Sequence, residues 1–509
     1  MINSTIYFDI INMNLKQILE TTALEIPRKT ALVHGSQRFT YQELEEQSNR
    51  VANLLVELGI KKHDHVAILM SHSPQWCINY FGIVKSGAVA ILLSPVLKYP
   101  EIISLVRDSN ASVIITERSS GTAIANMMGD IPNLKHVLEV DESDYQLMTS
   151  NASHQAPQVP IDEDDIATII YTSGVLGKQK GVVHTHSSLL GTPEIVSDGL
   201  RRTMDDVIID PVPFFYLLGL SELLLGSIIR GSTVVIVPQF TPRAILRAIE
   251  REKGSILFGV PAMYNTLAML PERVIADYEI ASLRVATSAG AKSSPRLMKM
   301  MEEKLNLTYC ETYGLSELSV VSMSSLDNHR IGTVGKPICE IKVMDDNGND
   351  VTTSGQIGEA VVRAPWMMQG YYNAPDLTTQ VIKSGWFYTG DLIRMDGDGY
   401  LEYVEKKSFI IVTASGLKIS PWEVEEVLLS HKSIAEAAFV GVGQYPDNVV
   451  PTAFIVPEDS QTITTDEVAS FCREKLADFK LPRRYVFVDG IPRTGSGKIK
   501  RQKLRETLL

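Results

Sequence analysis

The sequence predicts an α/β protein. A large N-terminal domain of two α/β sub-domains plus a small β-barrel precedes a small α+β C-terminal domain. Three observations predict it. Short apolar, β-branched runs alternate twice with helical patterns, the signature of parallel strands joined by crossover helices. From about residue 330 Gly and Asp become frequent and helical periods vanish. Beyond Lys407, roughly 100 residues carry their own apolar strands and helices and read as a separate unit.

In chain order, Thr40 and Glu43 form a T-x-x-E capping box. Leu44, Val51, Leu54, Leu55 and Leu58 recur on one helical face, which Gly59 closes. The first alternation runs HVAILM (65–70), PQWCINYFGIVKSG, VAILL, PEIISLVRDSN and SVIIT. The second runs TVVIV (233–237), PRAILRAIEREKG, SILFGV, a helical segment, LRVATSAGA, SSPRLMKMMEEKLN and LTYCETYG. The strands EIKVMDDNG, GEAVVRA and GYLEYV then suggest the β-rich piece. FIIV, SPWEVEEVLLSH, AEAAFVGV, PTAFIVP, TTDEVASFCREKLADF and YVFVD make up the last unit. The expected domains are residues 1–406 and 407–509.

Composition excludes several classes. At 509 residues the chain exceeds what one core usually holds. With 48 Lys plus Arg against 60 Asp plus Glu and no long basic run, it is a poor binder of nucleic acid or anionic lipid. Cys77, Cys310, Cys339 and Cys472 lie far apart, without the spacing of a disulfide scaffold or a zinc site. The most membrane-like stretch, 214–229, is shorter than the roughly 20 residues a span requires. It contains Glu222 and reads as a buried helix. The N-terminus lacks the basic region of a secretory signal, so the expected location is cytoplasmic.

Four segments carry chemistry. In 166–182 a β-branched strand enters Thr172, Ser173 and Gly174, followed by Gly177, Lys178, Lys180 and Gly181. Glycines let backbone N–H groups turn toward an anion, while hydroxyls and lysines add donors and charge. The spacing is not that of a Walker loop, and a Gly/Lys-rich surface loop is the plain alternative. In Glu311, Thr312, Tyr313, Gly314, Leu315, Ser316 and Glu317, an aromatic–Gly pair at a strand end suits a planar base. Ser316 suits a phosphate and Glu317 suits Mg²⁺, although Glu317 also reads as a helix N-terminal acid. Asp391 follows a Thr-Gly turn, as a ribose-gripping carboxylate or a turn-former would, with Arg394 just beyond it. Lys498 ends the loop Pro492, Arg493, Thr494, Gly495, Ser496, Gly497, where a basic tail is the ordinary explanation.

Taken in this order, the four segments resemble the adenylate-forming superfamily of acyl-CoA synthetases, peptide-synthetase adenylation domains and firefly-type luciferases. The resemblance extends from the T-x-x-E helix to Lys498. It implies that the loop of Thr172, Ser173, Gly174, Gly177, Lys178 and Lys180 closes over the β- and γ-phosphates of ATP. It implies adenine stacking on Tyr313, an α-phosphate contact from Ser316 and a Mg²⁺ ligand in Glu317, within the ATP-binding run Glu311, Thr312, Tyr313 and Gly314. Ser288, Ala289, Gly290 and Ala291 would lie beside adenine and the acyl group. Asp391, with Arg394 and Lys406 nearby, would hold the ribose, and Lys498 would bridge the substrate carboxylate and the α-phosphate. The resemblance also implies a C-terminal domain that rotates between half-reactions, with Gly416 lining a pantetheine tunnel.

The implied reaction joins a carboxylate to AMP with loss of pyrophosphate; a thiol then displaces AMP. The cofactors and partners are ATP, Mg²⁺, CoA and a small carboxylate. The expected enzyme is an AMP-forming carboxylate–CoA ligase. Rival expectations are an acyl-AMP ligase loading a carrier protein, an impaired nucleotide- or acyl-binding homologue, and a luciferase-type oxygenase.

Several positions depart from the family pattern. Val175 and Leu176 replace two hydroxyl residues of the phosphate loop, and Gln179 replaces its proline. Pro213, Phe214, Phe215 and Tyr216 stand where a histidine-ending segment is usual. At the hinge, Lys406 or Lys407 replaces an arginine, losing its planar fork, and Ser408 replaces an acid. His184 and His186 read as structural, and Met298, Met300 and Met301 as helix packing. The acyl and CoA side is expected at Tyr216, Gly219, Val260, Ala291 and Gly416, within 214–220, 258–263, 288–291 and the residues after Glu317, including Val320 and Val321. These segments are overwhelmingly apolar and lack a paired Lys, Arg or acid. A buried unpaired charge costs several kcal/mol, so the expected substrate is a hydrophobic monocarboxylate, a medium-to-long fatty acid or an aromatic acid.

Overall fold

Two largely parallel sheets form the N-terminal domain in the computed structural model, which describes residues 13–125, 128–173, 179–412, 418–443, 449–458, 463–476, 478–494 and 498–508. The first alternation folds into parallel strands His65–Leu69, Val89–Leu92 and Val113–Thr116, and His136–Glu139, beyond the runs read from the sequence, adds a fourth. Ile166–Ser173 joins Val89–Leu92 in parallel, and Gln179–Thr185 pairs back antiparallel, with Thr172 opposite Lys180. The second alternation gives parallel strands Thr233–Ile236, Ile256–Gly259, Val285–Ser288 and Thr308–Leu315, and Val207–Asp210, not read from the sequence, inserts between the first two.

The helices between strands start where the sequence signals them. Thr40 caps Tyr41–Glu57 in a reciprocal box with Glu43, and Gly59 takes the left-handed φ of +86° just past the helix. That helix and Pro74–Lys85 lie between the sheets. One buried cluster joins Val51, Leu55, Trp76 and Phe81 to Val66 and Ile68 of one sheet and Val234 and Ile236 of the other.

Three local features differ from the sequence reading. Thr30–His34 is a strand that pairs in parallel with Thr233–Ile236, Leu32 opposite Val234. It also pairs antiparallel with Gln37–Thr40, so a local hairpin edge and a distant strand together make it a strand. Pro375–Val381 is a helix inside the β-rich region; it has no buried residue and so shows no apolar period. The buried helix expected over 214–229 begins only at Leu218, and Leu218–Leu225 is π-wound before Gly226–Arg230 continues as α-helix.

The β-rich region is a five-stranded antiparallel sheet in which Trp386–Met395 pairs with Gly358–Arg363, Ile382–Lys383 and Leu401–Lys406. The smaller C-terminal domain carries the sheet Ile434–Val442, Val450–Pro457 and Arg484–Phe487; Val424 of Pro421–Leu429 and Val468 of Thr465–Lys475 share its buried cluster with Phe439 and Ile455. Among the described residues no helix is long and apolar enough to cross a membrane.

Candidate active site

Tyr313 and Glu317 come from one chain segment and Asp391 from another; Tyr313 bonds Asp391 directly, and the charges of Asp391 and Glu317 both act on Lys498. The strand Thr308–Leu315 runs parallel to Val285–Ser288 as far as Glu311, then turns antiparallel to Ser319–Met323 at Thr312. The motif therefore begins within the strand, and Glu317 lies in the turn between two strands rather than at a helix start. At Gly314 a Cβ would stand 2.0 Å from the Ser319 carbonyl oxygen, so only glycine permits this turn.

Asp391 faces inward from Trp386–Met395, whose side chains alternate buried and exposed. Tyr313 Oη donates to its Oδ2 at 2.9 Å, Tyr403 Oη donates to its Oδ1 at 3.3 Å, and Lys406 Nζ lies 2.9 Å from the same Oδ1. Lys406 also donates to the Thr389 carbonyl at 3.0 Å. Lys407 instead pairs with Glu359 at 2.9 Å, so of the two hinge lysines Lys406 reaches the carboxylate. Arg394, three residues past Asp391, points to the opposite face, is exposed and is held by Glu402; it is not brought into this group.

Glu317 Oε1 lies 2.8 Å from Lys180 Nζ and accepts from Tyr371 Oη at 2.7 Å. Burial pushes this carboxyl up, but the Lys180 charge and the two hydrogen bonds outweigh it and hold it below the ordinary carboxylate range. Tyr371, Tyr403 and Thr389 are site residues that the sequence reading missed. Tyr371 belongs to the two-residue strand Gly370–Tyr371, which pairs with the end of the phosphate-loop hairpin. The only signal for Tyr403 was strand alternation in GYLEYV.

His184 Nε2 lies 2.7 Å from the Ser316 carbonyl and so donates to it, and Nδ1 lies 3.1 Å from Ser188 Oγ. Burial lowers both His184 and His186, and His186 Nδ1 accepts the Leu15 N–H. Both histidines brace backbone, as their structural reading expected. Met298 and Met301 are wholly buried in a helix–sheet core, again as expected. Glu311 accepts the Ser293 N–H at 2.6 Å and is pushed up to about 8 by burial. Thr312 and Ser288 are buried beside it, Ala289 donates its N–H to the Gly259 carbonyl, and Gly290 takes a left-handed φ of +85° ahead of Ala291.

Lys498 reaches this group from the C-terminal domain. The Lys498 carbonyl accepts the Thr494 N–H at 2.7 Å. Although part of its surface meets solvent, desolvation and the Lys406 cation lower it, while Asp391 and Glu317 pull the other way.

The donor set fits ATP and Mg²⁺. Thr172 Oγ1 is buried without a partner among the described residues, on the strand leading into the phosphate loop. Among the described residues no cluster of three or more His, Cys, Asp or Glu could cage a metal. Mg²⁺ typically takes one or two carboxylates and completes its shell with phosphates and water, which a lone Glu317 suits. Gly174, Val175, Leu176, Gly177, Lys178 and Gly416 lie outside the described residues, as does the Ser173 side chain.

On the acyl side, Tyr216 packs on Phe215 with ring centroids 4.6 Å apart. Gly219 sits against the Pro213 carbonyl, where a Cβ would come within 2.5 Å of its oxygen, and Val260 caps the helix Pro261–Ala268. Two charged residues outside those segments lie close to them. Arg202 and Glu222, 3% and 1% exposed, are buried beside Phe258 and Ser319. Arg202 lies outside the segments expected to line the pocket, and only the fold brings it there.

Known proteins resemble the chain over almost its whole length. A model of AMP-binding enzymes matches residues 19–372, and one of the AMP-binding enzyme C-terminal domain matches 423–498. A feruloyl-CoA synthase from Amycolatopsis sp. is 32% identical over 485 residues, covering 94% of this chain and 96% of the relative. A long-chain-fatty-acid–CoA ligase from Bacillus subtilis (strain 168) is 28% identical, covering 97% and 94%. The crystal structure of the anthranilate CoA ligase AuaEII in complex with anthranoyl-AMP superposes with a TM-score of 0.89 at 27% identity, covering 98% of this chain and 97% of that one.

Proposed function

The chain belongs to the AMP-binding enzymes of the adenylate-forming superfamily, and from that premise we propose that it activates a largely apolar monocarboxylic acid, aromatic or medium-to-long alkyl. The reaction class is that of an AMP-forming acyl-CoA ligase using ATP, Mg²⁺ and CoA. The substrate range draws on the apolar segments around Tyr216, Phe258 and Val260 and on relatives named for feruloyl and long-chain fatty acyl groups.

In the first half-reaction a carboxylate oxygen attacks the α-phosphorus, the new C–O–P bond forms, and pyrophosphate leaves with the bridging oxygen. A carboxylate is already a nucleophile, so the work left to the protein is alignment and charge neutralisation. Asp391, braced by Tyr403 and Lys406, grips the ribose diol, and Tyr313 lies beside the base. Thr172 and Lys180 face the phosphates, with Ser316 at the α-phosphate. Glu317 would hold Mg²⁺, which would supply neutralisation of phosphate charge. Lys498 bridges carboxylate and α-phosphate. In the second half-reaction the CoA sulfur attacks the acyl carbon and AMP leaves. The strand Leu401–Lys406 ends at the 3₁₀ turn Lys407–Phe409, and we infer the division into 1–406 and 407–509, with the hinge at Ser408, from that break. Four unpaired thiols fit a reducing, cytoplasmic compartment.

The observation carrying this reading is the convergence of Lys498 from one domain with Lys406, Asp391 and Glu317 from the other. ATP–pyrophosphate exchange across a panel of acids, followed by CoA-dependent AMP release, tests it. Exchange with aromatic or fatty acids is expected; preference for an amino acid or malonate overturns the substrate class.

A further inference from the structure

Two charged side chains that adenylation does not use lie buried on the acyl side. Glu222 occupies the π-wound stretch Leu218–Leu225, three residues past Gly219. Its Oε1 accepts hydroxyls from Thr192 at 2.5 Å, Ser319 at 2.9 Å and Ser221 at 3.2 Å. Its Oε2 is buried with no partner among the described residues. Arg202 donates through Nη1 to the Glu222 carbonyl oxygen at 3.0 Å, while Nε and Nη2 are buried with no partner among the described residues. The guanidinium carbon lies 5.2 Å from the centroid of Phe258.

The surroundings are apolar. Val212, Leu223, Phe258 and Val320 form one buried cluster, and three of its members lie in or beside the segments assigned to the acyl group. Ser319 couples this place to the nucleotide side. Two residues after Glu317, it adopts a φ of +52°, uncommon for a residue other than glycine, and its hydroxyl goes to Glu222. Buried donors and acceptors are normally satisfied, because each unpaired group forfeits its hydration. Here an acceptor and several N–H donors are left over in one apolar neighbourhood.

Building on the ligase reading above, we propose that Arg202 and Glu222 form a polar anchor for a hydroxyl carried by the acyl group away from its carboxylate. A hydroxyl both donates and accepts, so a single group answers Glu222 Oε2 and an Arg202 N–H. An alkyl terminus leaves both unpaired, and a second carboxylate meets the Glu222 charge. The apolar walls accept the rest of the acyl group, which narrows the substrate class to hydroxylated, most simply hydroxyaryl, acids.

The test compares kcat/KM of the full-length enzyme for 4-hydroxycinnamate, cinnamate, 4-carboxycinnamate and decanoate by CoA-dependent AMP release. The wild type is expected to prefer the hydroxylated acid to its unsubstituted analogue by about tenfold or more, since a site built to bond a hydroxyl rejects the analogue lacking it. The paired variant Arg202→Met/Glu222→Leu removes both charges together, so neither is stranded, and should bring that ratio to about one. Ser319→Ala, which removes no charge, covers the case in which the pair fails to fold and should lower the ratio by about threefold. A wild-type ratio of one or less overturns the anchor, as does a preference for decanoate or the dicarboxylate, or a ratio unchanged in the folded variants. Absence of pyrophosphate exchange with every acid strikes the ligase reading instead, so the two failures are separable.

Discussion

Glu317 and Glu222 are both buried carboxylates, yet the protein treats them oppositely. Glu317, 7% exposed, has an ammonium and a phenol on one oxygen and is held below the ordinary carboxylate range. Glu222 is pushed up by burial, which three hydroxyls and the more distant Arg202 only partly offset. Glu317 and Asp391 are thus both paired with lysine ammonium groups, Lys180 and Lys406. The acyl side keeps a charge poorly compensated, in a place where the right substituent would complete it. Preorganisation of the first kind serves transition-state charge; the second kind serves discrimination.

Four substitutions probe that contrast, in decreasing order of effect. Lys498→Ala removes the only proposed nucleotide-side cation that comes from the C-terminal domain. Acyl-adenylate formation should fall by about 10²–10³, roughly 3–4 kcal/mol, while thioester formation from synthetic acyl-adenylate stays within a few-fold. Equal loss in both steps, measured by pyrophosphate exchange and by CoA consumption, would show that the lysine does not belong to the first half-reaction.

Glu311 lies between the two regimes: the Ser293 N–H and the charge of Lys292 only partly offset its burial. Its carboxyl is pushed up to about 8 from the ordinary 4.5, so the folded state binds its proton more tightly than the unfolded state. Its contribution to stability is therefore full below about pH 4.5 and lost as pH rises to about 8. Glu311→Gln should remove that slope and gain on the order of 3 kcal/mol over the wild type at the alkaline end. Parallel melting curves for the two proteins across that range would refute the burial argument.

The smallest expected effects separate the hinge lysines. Lys406→Ala strips Asp391 of its ammonium and should raise the KM for ATP by about tenfold, near 1.4 kcal/mol. Lys407→Ala breaks a half-exposed pair with Glu359 and should change KM and melting by no more than about 0.5 kcal/mol. Equal effects from the two would dissolve the distinction drawn from their partners.

Much of the fold was legible because its signals are local. The box of Thr40 and Glu43, the glycine stop at Gly59 and the β-branched runs feeding parallel strands depend on near neighbours, and they folded as read. The parallel pairing of Thr30–His34 with Thr233–Ile236 was not legible, because its hydrogen bonds come from a strand about 200 residues away. Tyr371 and Arg202 escaped notice for the same reason: neither stands near the motif it serves in sequence.

The chemistry of the site lies in the residue types and their order: a phosphate loop entered through Thr172, an aromatic–glycine turn at Tyr313, acids at Glu317 and Asp391 and a late lysine at 498. Alternation along Trp386–Met395 also decided that Asp391 and Arg394 face apart, since side chains reverse with every residue of a strand. Tertiary structure alone decided which lysine meets Asp391, which phenols brace the carboxylates, and that an arginine and a glutamate lie buried beside the acyl side. Burial and partnership are properties of packing between distant segments. A sequence lists the charges, but only the folded chain sets which of them lose water and what replaces it.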